Sequence, residues 1–163
     1  MIFVTVGTQL PFERLVMAVD VWAAGATPRP DVLAQVGAGR VDYPYLRCVR
    51  TLDRSRYEAA IAAARLMIAH AGTGSILTAL DRGVPVIIMP RDHRRAEHRD
   101  DHQSQTARQL EKMGLVAVAW SESELPALID AELSRVGEGR PARQRSTELV
   151  DYIRSYLHEV LGK

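Results

Sequence analysis

The chain has 163 residues, 47% of them hydrophobic, with 21 basic side chains against 20 acidic ones. That length suits one domain, and the apolar share excludes general disorder. A formal charge of +1 gives no bulk electrostatic case for a nucleic-acid partner, and the single Cys48 excludes an intrachain disulfide framework and a cysteine-built zinc site.

In chain order, Ile2 to Val6 reads as a buried strand ended by Gly7-Thr8. Pro11 is placed for the start of a helix whose apolar face carries Phe12, Leu15, Val16, Val19 and Trp22. Val32 to Val36 and Leu46 to Val49 are short strands, and Tyr57, Ala60, Ile61 and Ala64 trace a second helical face. Arg65 to His70 reads as a strand, Ile76 to Arg82 as a helix closed by Gly83, and Val84 to Met89 as a strand buried on both faces. A charged loop from Arg91 to Asp100 precedes a helix with Gln103, Thr106, Ala107, Leu110 and Met113 on one side and Gly114 at its end. Leu115 to Trp120 is the last strand, and Ser121 with Glu124 forms a capping-box pattern before Leu125, Leu128, Ile129 and Leu133.

This alternation predicts an α/β domain, a single Rossmann-like doubly wound parallel sheet, over residues 1–133. A connector rich in Gly and Arg follows over 134–145. A final helix over 146–163, with Leu149, Ile153, Tyr156, Leu157 and Val160 on its apolar face, is expected to pack on the domain or on a partner. Met1 to Gly7 lacks the basic region of a signal peptide, and the apolar run Ala59 to Ala69 is broken by Arg65, so a cytoplasmic domain without a membrane span is expected.

Ligands of such sheets bind beyond the carboxyl ends of the strands, where strand order reverses. Gly7-Thr8-Gln9, Ala71 to Ser75 and Pro90 to His102 should meet at that edge. In His70-Ala71-Gly72-Thr73-Gly74-Ser75, two glycines permit close backbone approach and positive φ, Thr73 and Ser75 add hydroxyls, and the next helix offers unpaired N–H groups. That set suits a phosphate, with His70 donating a charge-assisted hydrogen bond; it equally suits a tight turn with an N-capping Ser75. The G-x-G-x-x-G spacing and a P-loop are both missing, which argues against nicotinamide dehydrogenases and P-loop NTPases.

The loop from Arg91 to Gln103 has several readings. His98 and His102, four apart, would share a helix face and with His93 could hold a metal, but Arg91, Arg94, Arg95 and Arg99 oppose a dication. The arginines suit the carboxylate of a uronic acid, or pair with neighbouring acids in a solvated loop. Asp101, His102 and Gln103 could instead cap the next helix and bind a polyhydroxylated ligand.

Val4-Thr5-Val6-Gly7-Thr8, His70 to Leu77, Gly83-Val84-Pro85 with Pro90, and Asp101-His102-Gln103 together resemble the C-terminal domain of glycosyltransferase family 28 over roughly residues 1 to 120. Within it they are similar to the small subunits of split glycosyltransferases, namely the small subunit of the eukaryotic dolichol-linked N-acetylglucosamine transferase and the PssE-type subunits of bacterial exopolysaccharide synthesis. The Glu97-His98 to His102-Gln103 stretch favours the bacterial branch.

The resemblance implies one half of a GT-B fold that binds a UDP-sugar donor. The acceptor half would be a separate, membrane-anchored subunit that recruits this chain to the inner face of the membrane, and the acceptor a lipid-linked glycan. It implies that His70 and Gly72, Thr73, Gly74 and Ser75 hold the diphosphate, with His70 stabilising the leaving group. Gly7 and Thr8 would line the cleft, His102 and Gln103 touch sugar hydroxyls, and uracil lie near Leu52 to Tyr57. No metal is required and the general base is left to the partner. The family commonly carries a glutamate eight residues after the motif histidine, for the ribose hydroxyls; here that residue is Thr78. Losing a charged acceptor costs about 1.5–3 kcal/mol of binding. A non-catalytic docking or enhancing subunit is the alternative.

Overall fold

The computed structural model describes residues 1–138 and, beyond them, Ser155. Short runs of branched residues form strands β1 (Ile2–Thr5), β2 (Val32–Gln35), β3 (Arg47–Val49), β4 (Leu66–His70), β5 (Val86–Met89) and β6 (Ala117–Val118). Between them lie helices α1 (Glu13–Gly25), α2 (Arg54–Ala63), α3 (Thr73–Arg82), α4 (His102–Lys112) and α5 (Leu125–Gly137), with one 3₁₀ turn at His93–Arg95. All strand pairs are parallel, in the order β3-β2-β1-β4-β5-β6, so strand order reverses between β1 and β4. This is the doubly wound sheet expected from the sequence.

The continuous apolar runs are explained by two covered faces. On one, Ile2, Val4, Leu66, Ile68, Ile87 and Met89 pack with Leu15, Val16 and Val19 of α1 and Leu125 and Ile129 of α5. On the other, Phe3, Met67, Ala69, Val86 and Ile88 meet Ile61 of α2, Ile76, Ala79 and Leu80 of α3, and Ala107 and Leu110 of α4. Successive strand residues alternate between the two sets, as the period of 2 requires. Among the described residues, no helix is long and apolar enough to cross a membrane.

Several boundaries differ from the sequence reading, each for a hydrogen-bonding reason. The Val84 N–H closes α3 on the Ala79 carbonyl (2.9 Å), and the Leu115 N–H closes α4 on Leu110 (3.1 Å), so both residues belong to helix ends and the strands that follow are shorter. Ser121 does not cap α5: its hydroxyl meets Ser123 Oγ (2.9 Å), while the Glu124 carboxylate accepts from the Trp120 N–H (2.9 Å). Helix α5 runs on to Gly137, past the expected start of the connector at Ser134, whose hydroxyl donates back to the Asp130 carbonyl (2.9 Å). The rest of that connector and, apart from Ser155, the final helix expected over 146–163 lie outside the described residues.

Candidate functional site

At the switch point the sheet edge opens into a cleft of about 600 Å³. Its wall includes Gly7, Thr8, His70, Gly72, Thr73, Gly74, Ser75, Thr78 and Gln103, residues brought from β1, β4, α3 and α4. The structure therefore collects nine of the ten residues singled out from the sequence. His102 is the exception: it opens α4 with its imidazole about half exposed and is not part of the cleft wall. Its place is taken by His98, and Leu52, Arg54 and Tyr57 line the cleft in the region expected for a base.

Helix α3 begins three residues earlier than expected. Gly72 is its N-cap, no side chain caps it, and Thr73, Gly74 and Ser75 form its first turn. The N–H groups of that turn have no acceptor within the helix and, with the positive end of the dipole, face the cleft. Ser75 is not an N-cap; its Oγ accepts a hydrogen bond from the Tyr57 hydroxyl (3.2 Å), which ties α2 to α3. The Thr78 hydroxyl donates to the Gly74 carbonyl one turn back (2.7 Å).

The two motif glycines do not serve positive φ. Gly72 is extended (φ −86°), and Gly74 is helical with open space around it. Gly72 is needed for His70: a methyl carbon placed there falls 2.7 and 2.8 Å from the imidazole Cε1 and Cδ2, and closer still to Nε2. The positive φ belongs to Gly7 (φ +78°), where an added carbon also meets the imidazole, 2.8 Å from Cε1. The ring thus lies against two bare backbone segments that leave it no spare room.

Burial, and then the charge of Arg91, push the His70 pKa down from 6.5 to about 4, so the ring is neutral near pH 7. Its Nδ1 is buried without a hydrogen-bond partner; the Thr5 backbone pulls the pKa weakly upward without closing a bond to that atom. The imidazole expected to meet a phosphate is thus neutral in the free chain, and an N–H hydrogen bond from it to an ionised phosphate oxygen is still charge-assisted. Unfolded His70 binds a proton at a higher pH than folded His70, so the stability it contributes is complete above about pH 6.5 and drains away as pH falls toward 4. Urea unfolding midpoints of the wild type should therefore drop relative to those of His70→Gln across that window; parallel profiles would show that His70 is not held neutral.

The loop after β1 is held from behind. Arg91, 2% exposed, donates to the carbonyls of Val6 (2.8 Å), Leu10 (2.6 Å), Pro11 (2.6 Å) and Glu97 (3.5 Å), and its guanidinium lies 4.7 Å from the centre of the Phe12 ring. Burial lowers its pKa to about 10, so it stays charged. Gln103 Oε1 accepts the Arg91 N–H (3.1 Å). Gln35 Oε1 accepts the Leu52 N–H (3.2 Å), while its Nε2 lies 3.5 Å from Thr5 Oγ1 and from the Gly7 carbonyl.

The charged loop is pinned, not loosely solvated. Arg14 of α1 forks onto Glu97 (2.9 and 2.8 Å) and reaches Glu122 (3.0 Å), and Glu97 also accepts the Asp92 N–H (2.9 Å). Arg94 pairs with Asp92 (3.1 Å) and Arg95 with Glu122 (3.3 Å), and Arg91 is engaged with main-chain carbonyls. Asp101 makes no side-chain cap; the Asp100 carboxylate accepts the His102 N–H instead (3.1 Å). Because α4 begins only at His102, His98 lies in the loop and the two imidazoles share no helix face. Among the described residues, no three or more His, Cys, Asp or Glu side chains are arranged to hold a metal ion.

A doubly wound sheet with an open helix start at its switch point defines a Rossmann-like domain. The structure is similar to MurG of Acinetobacter baumannii (TM-score 0.64, 18% identity, 94% of this chain and 49% of that one). It is also similar to the solution structure of ALG13 (TM-score 0.54, 22% identity, 82% and 85% of the two chains). At those identities the likeness is one of fold.

The chain belongs to glycosyltransferase family 28: the family's C-terminal domain matches residues 1–148. In sequence it is 34% identical to the UDP-N-acetylglucosamine transferase subunit ALG13 of Mus musculus, over 98% of this chain and 15% of that protein. The Homo sapiens protein of the same name is 33% identical over 69% of this chain and 10% of its own length. The chain thus corresponds to only a small part of these relatives.

Proposed function

We propose that this chain is the donor-binding subunit of a two-chain glycosyltransferase that moves a sugar from a UDP-sugar to a lipid-linked acceptor. The observation that carries the reading is the uncapped start of α3, with His70 beside it, opening on the switch-point cleft. The mammalian relatives are named as subunits of a UDP-N-acetylglucosamine transferase, which supports both a UDP-sugar donor and a second chain. The acceptor half then lies on a membrane-anchored partner at the cytoplasmic face. The likeness of the Glu97 to Gln103 stretch to the PssE-type subunits favours exopolysaccharide synthesis.

In the reaction, an acceptor hydroxyl attacks the anomeric carbon, the bond from that carbon to the diphosphate breaks, and the electron pair leaves with the phosphate oxygen. The developing charge meets the amides of Thr73, Gly74 and Ser75, the dipole of α3 and the His70 ring, with the buried charge of Arg91 behind them. In this reading these groups carry the charge without a metal. The general base comes from the partner's side of the cleft.

Calorimetric titration with UDP tests the reading directly: micromolar binding is expected. In the assembled complex, His70→Ala should lower turnover by about tenfold or more; unchanged turnover would remove His70 from the mechanism. One observation favours a second reading, that of a docking or enhancing subunit. Thr78 stands where the family has a ribose-binding glutamate, and its hydroxyl proton is already given to Gly74. No UDP binding up to several millimolar would favour that reading.

A further inference from the structure

Read along the sheet edge, the cleft wall follows strand order. Leu52, Arg54 and Tyr57 come after β3, Gly7 and Thr8 after β1, Gly72 to Ser75 after β4, and Arg91, His98 and Gln103 after β5. A nucleotide whose base lies at the first group and whose diphosphate lies at α3 therefore extends its sugar toward the lip beyond β5. Arg91 is occupied there with backbone carbonyls and Gln103 Oε1 with the Arg91 N–H, and the His98 side chain is 26% exposed.

The tautomer of His98 is fixed by its neighbour. The Asp100 carboxyl is held below the usual carboxylate range, first by the His102 N–H and further by the His102 and His98 imidazoles, so it is ionised and can only accept. It stands 3.0 Å from His98 Nδ1, which must be the donor. The Asp100 N–H, 3.5 Å from the same nitrogen, is the weaker of the two contacts. When the ring is neutral, Nε2 carries the lone pair, which suits a hydroxyl donor and repels a phosphate oxygen.

We infer that His98 accepts a hydrogen bond from a hydroxyl of the donor sugar, with Asp100 as the positioning residue that fixes its tautomer. The inference rests on the donor-site reading above. It moves the imidazole at the sugar from His102, where the family resemblance placed it, to His98.

Calorimetric titration of the full chain with UDP, UDP-glucose, UDP-N-acetylglucosamine, UDP-galactose and UDP-glucuronate measures what the sugar adds to affinity. At least one sugar nucleotide should bind about fivefold tighter than UDP. His98→Ala should erase that gain while leaving UDP affinity within about twofold, and His98→Gln, which keeps an acceptor oxygen, should retain part of it. Imidazole nitrogen spectra should show Nδ1-protonated His98 in the wild type and a mixture of tautomers in Asp100→Ala, with the sugar gain reduced in parallel. The inference is overturned if no sugar nucleotide outbinds UDP, if His98→Ala leaves the gain intact, or if it weakens UDP and the sugar nucleotide equally. Failure of UDP itself to bind the wild type is a separate result that removes the donor site as well.

Discussion

Gly72→Ala is expected to cost about 1–3 kcal/mol of stability and to weaken UDP binding, although alanine adopts the backbone angles of that position without strain. The cost comes from one neighbour, since the added carbon falls within 2.8 Å of the imidazole Cε1 and Cδ2 of His70. The three nearest atoms all belong to His70, so the effect should depend on His70 being there. Urea unfolding of the wild type, the two single variants and Gly72→Ala/His70→Ala forms a double-mutant cycle. The penalty at Gly72 should largely vanish when residue 70 is alanine. An equal penalty in both backgrounds would mean that the glycine serves the backbone after all.

Arg91→Ala should destabilise the chain by about 3 kcal/mol or more, among the largest effects of any single change outside the apolar core. Its guanidinium satisfies main-chain carbonyls at Val6, Leu10, Pro11 and Glu97, and among the described residues it is the side chain that donates to the first three. Arg91→Lys should recover only part of the loss, because a point ammonium cannot reproduce a planar fork aimed at three separate carbonyls. A readout beyond stability follows from the charge itself. Arg91 helps to depress the His70 pKa, so in Arg91→Met the His70 ring should titrate above about 4 by NMR. Wild-type-like unfolding of Arg91→Ala would show that the loop after β1 holds its shape unaided.

The sheet was legible because its strands are short apolar runs bounded by glycine, proline or charge, and two covered faces leave little else for such runs to do. The candidate site was half legible. His70 and Gly72 to Ser75 stand together in the chain and mark themselves, yet the reason for Gly72 is invisible there, since it lies in the direction the His70 side chain takes. Arg91 was out of reach for a different reason. Its partners are carbonyls 80 to 85 residues away, and a main-chain carbonyl carries no signature in the sequence. The pairing of His98 with His102 as metal ligands turned on one boundary. A helix assumed to reach back to residue 98 puts both imidazoles on one face, whereas the helix begins at His102.

Arg91 and Gln35 grip the lip of the cleft almost wholly through main-chain atoms, which every residue type supplies alike. Thr8, Gln9 and Leu10 project from a scaffold that does not depend on what they are. Substitutions at those three positions can therefore change what the rim offers a visiting molecule while its contour stays put, which gives this part of the surface room to diversify.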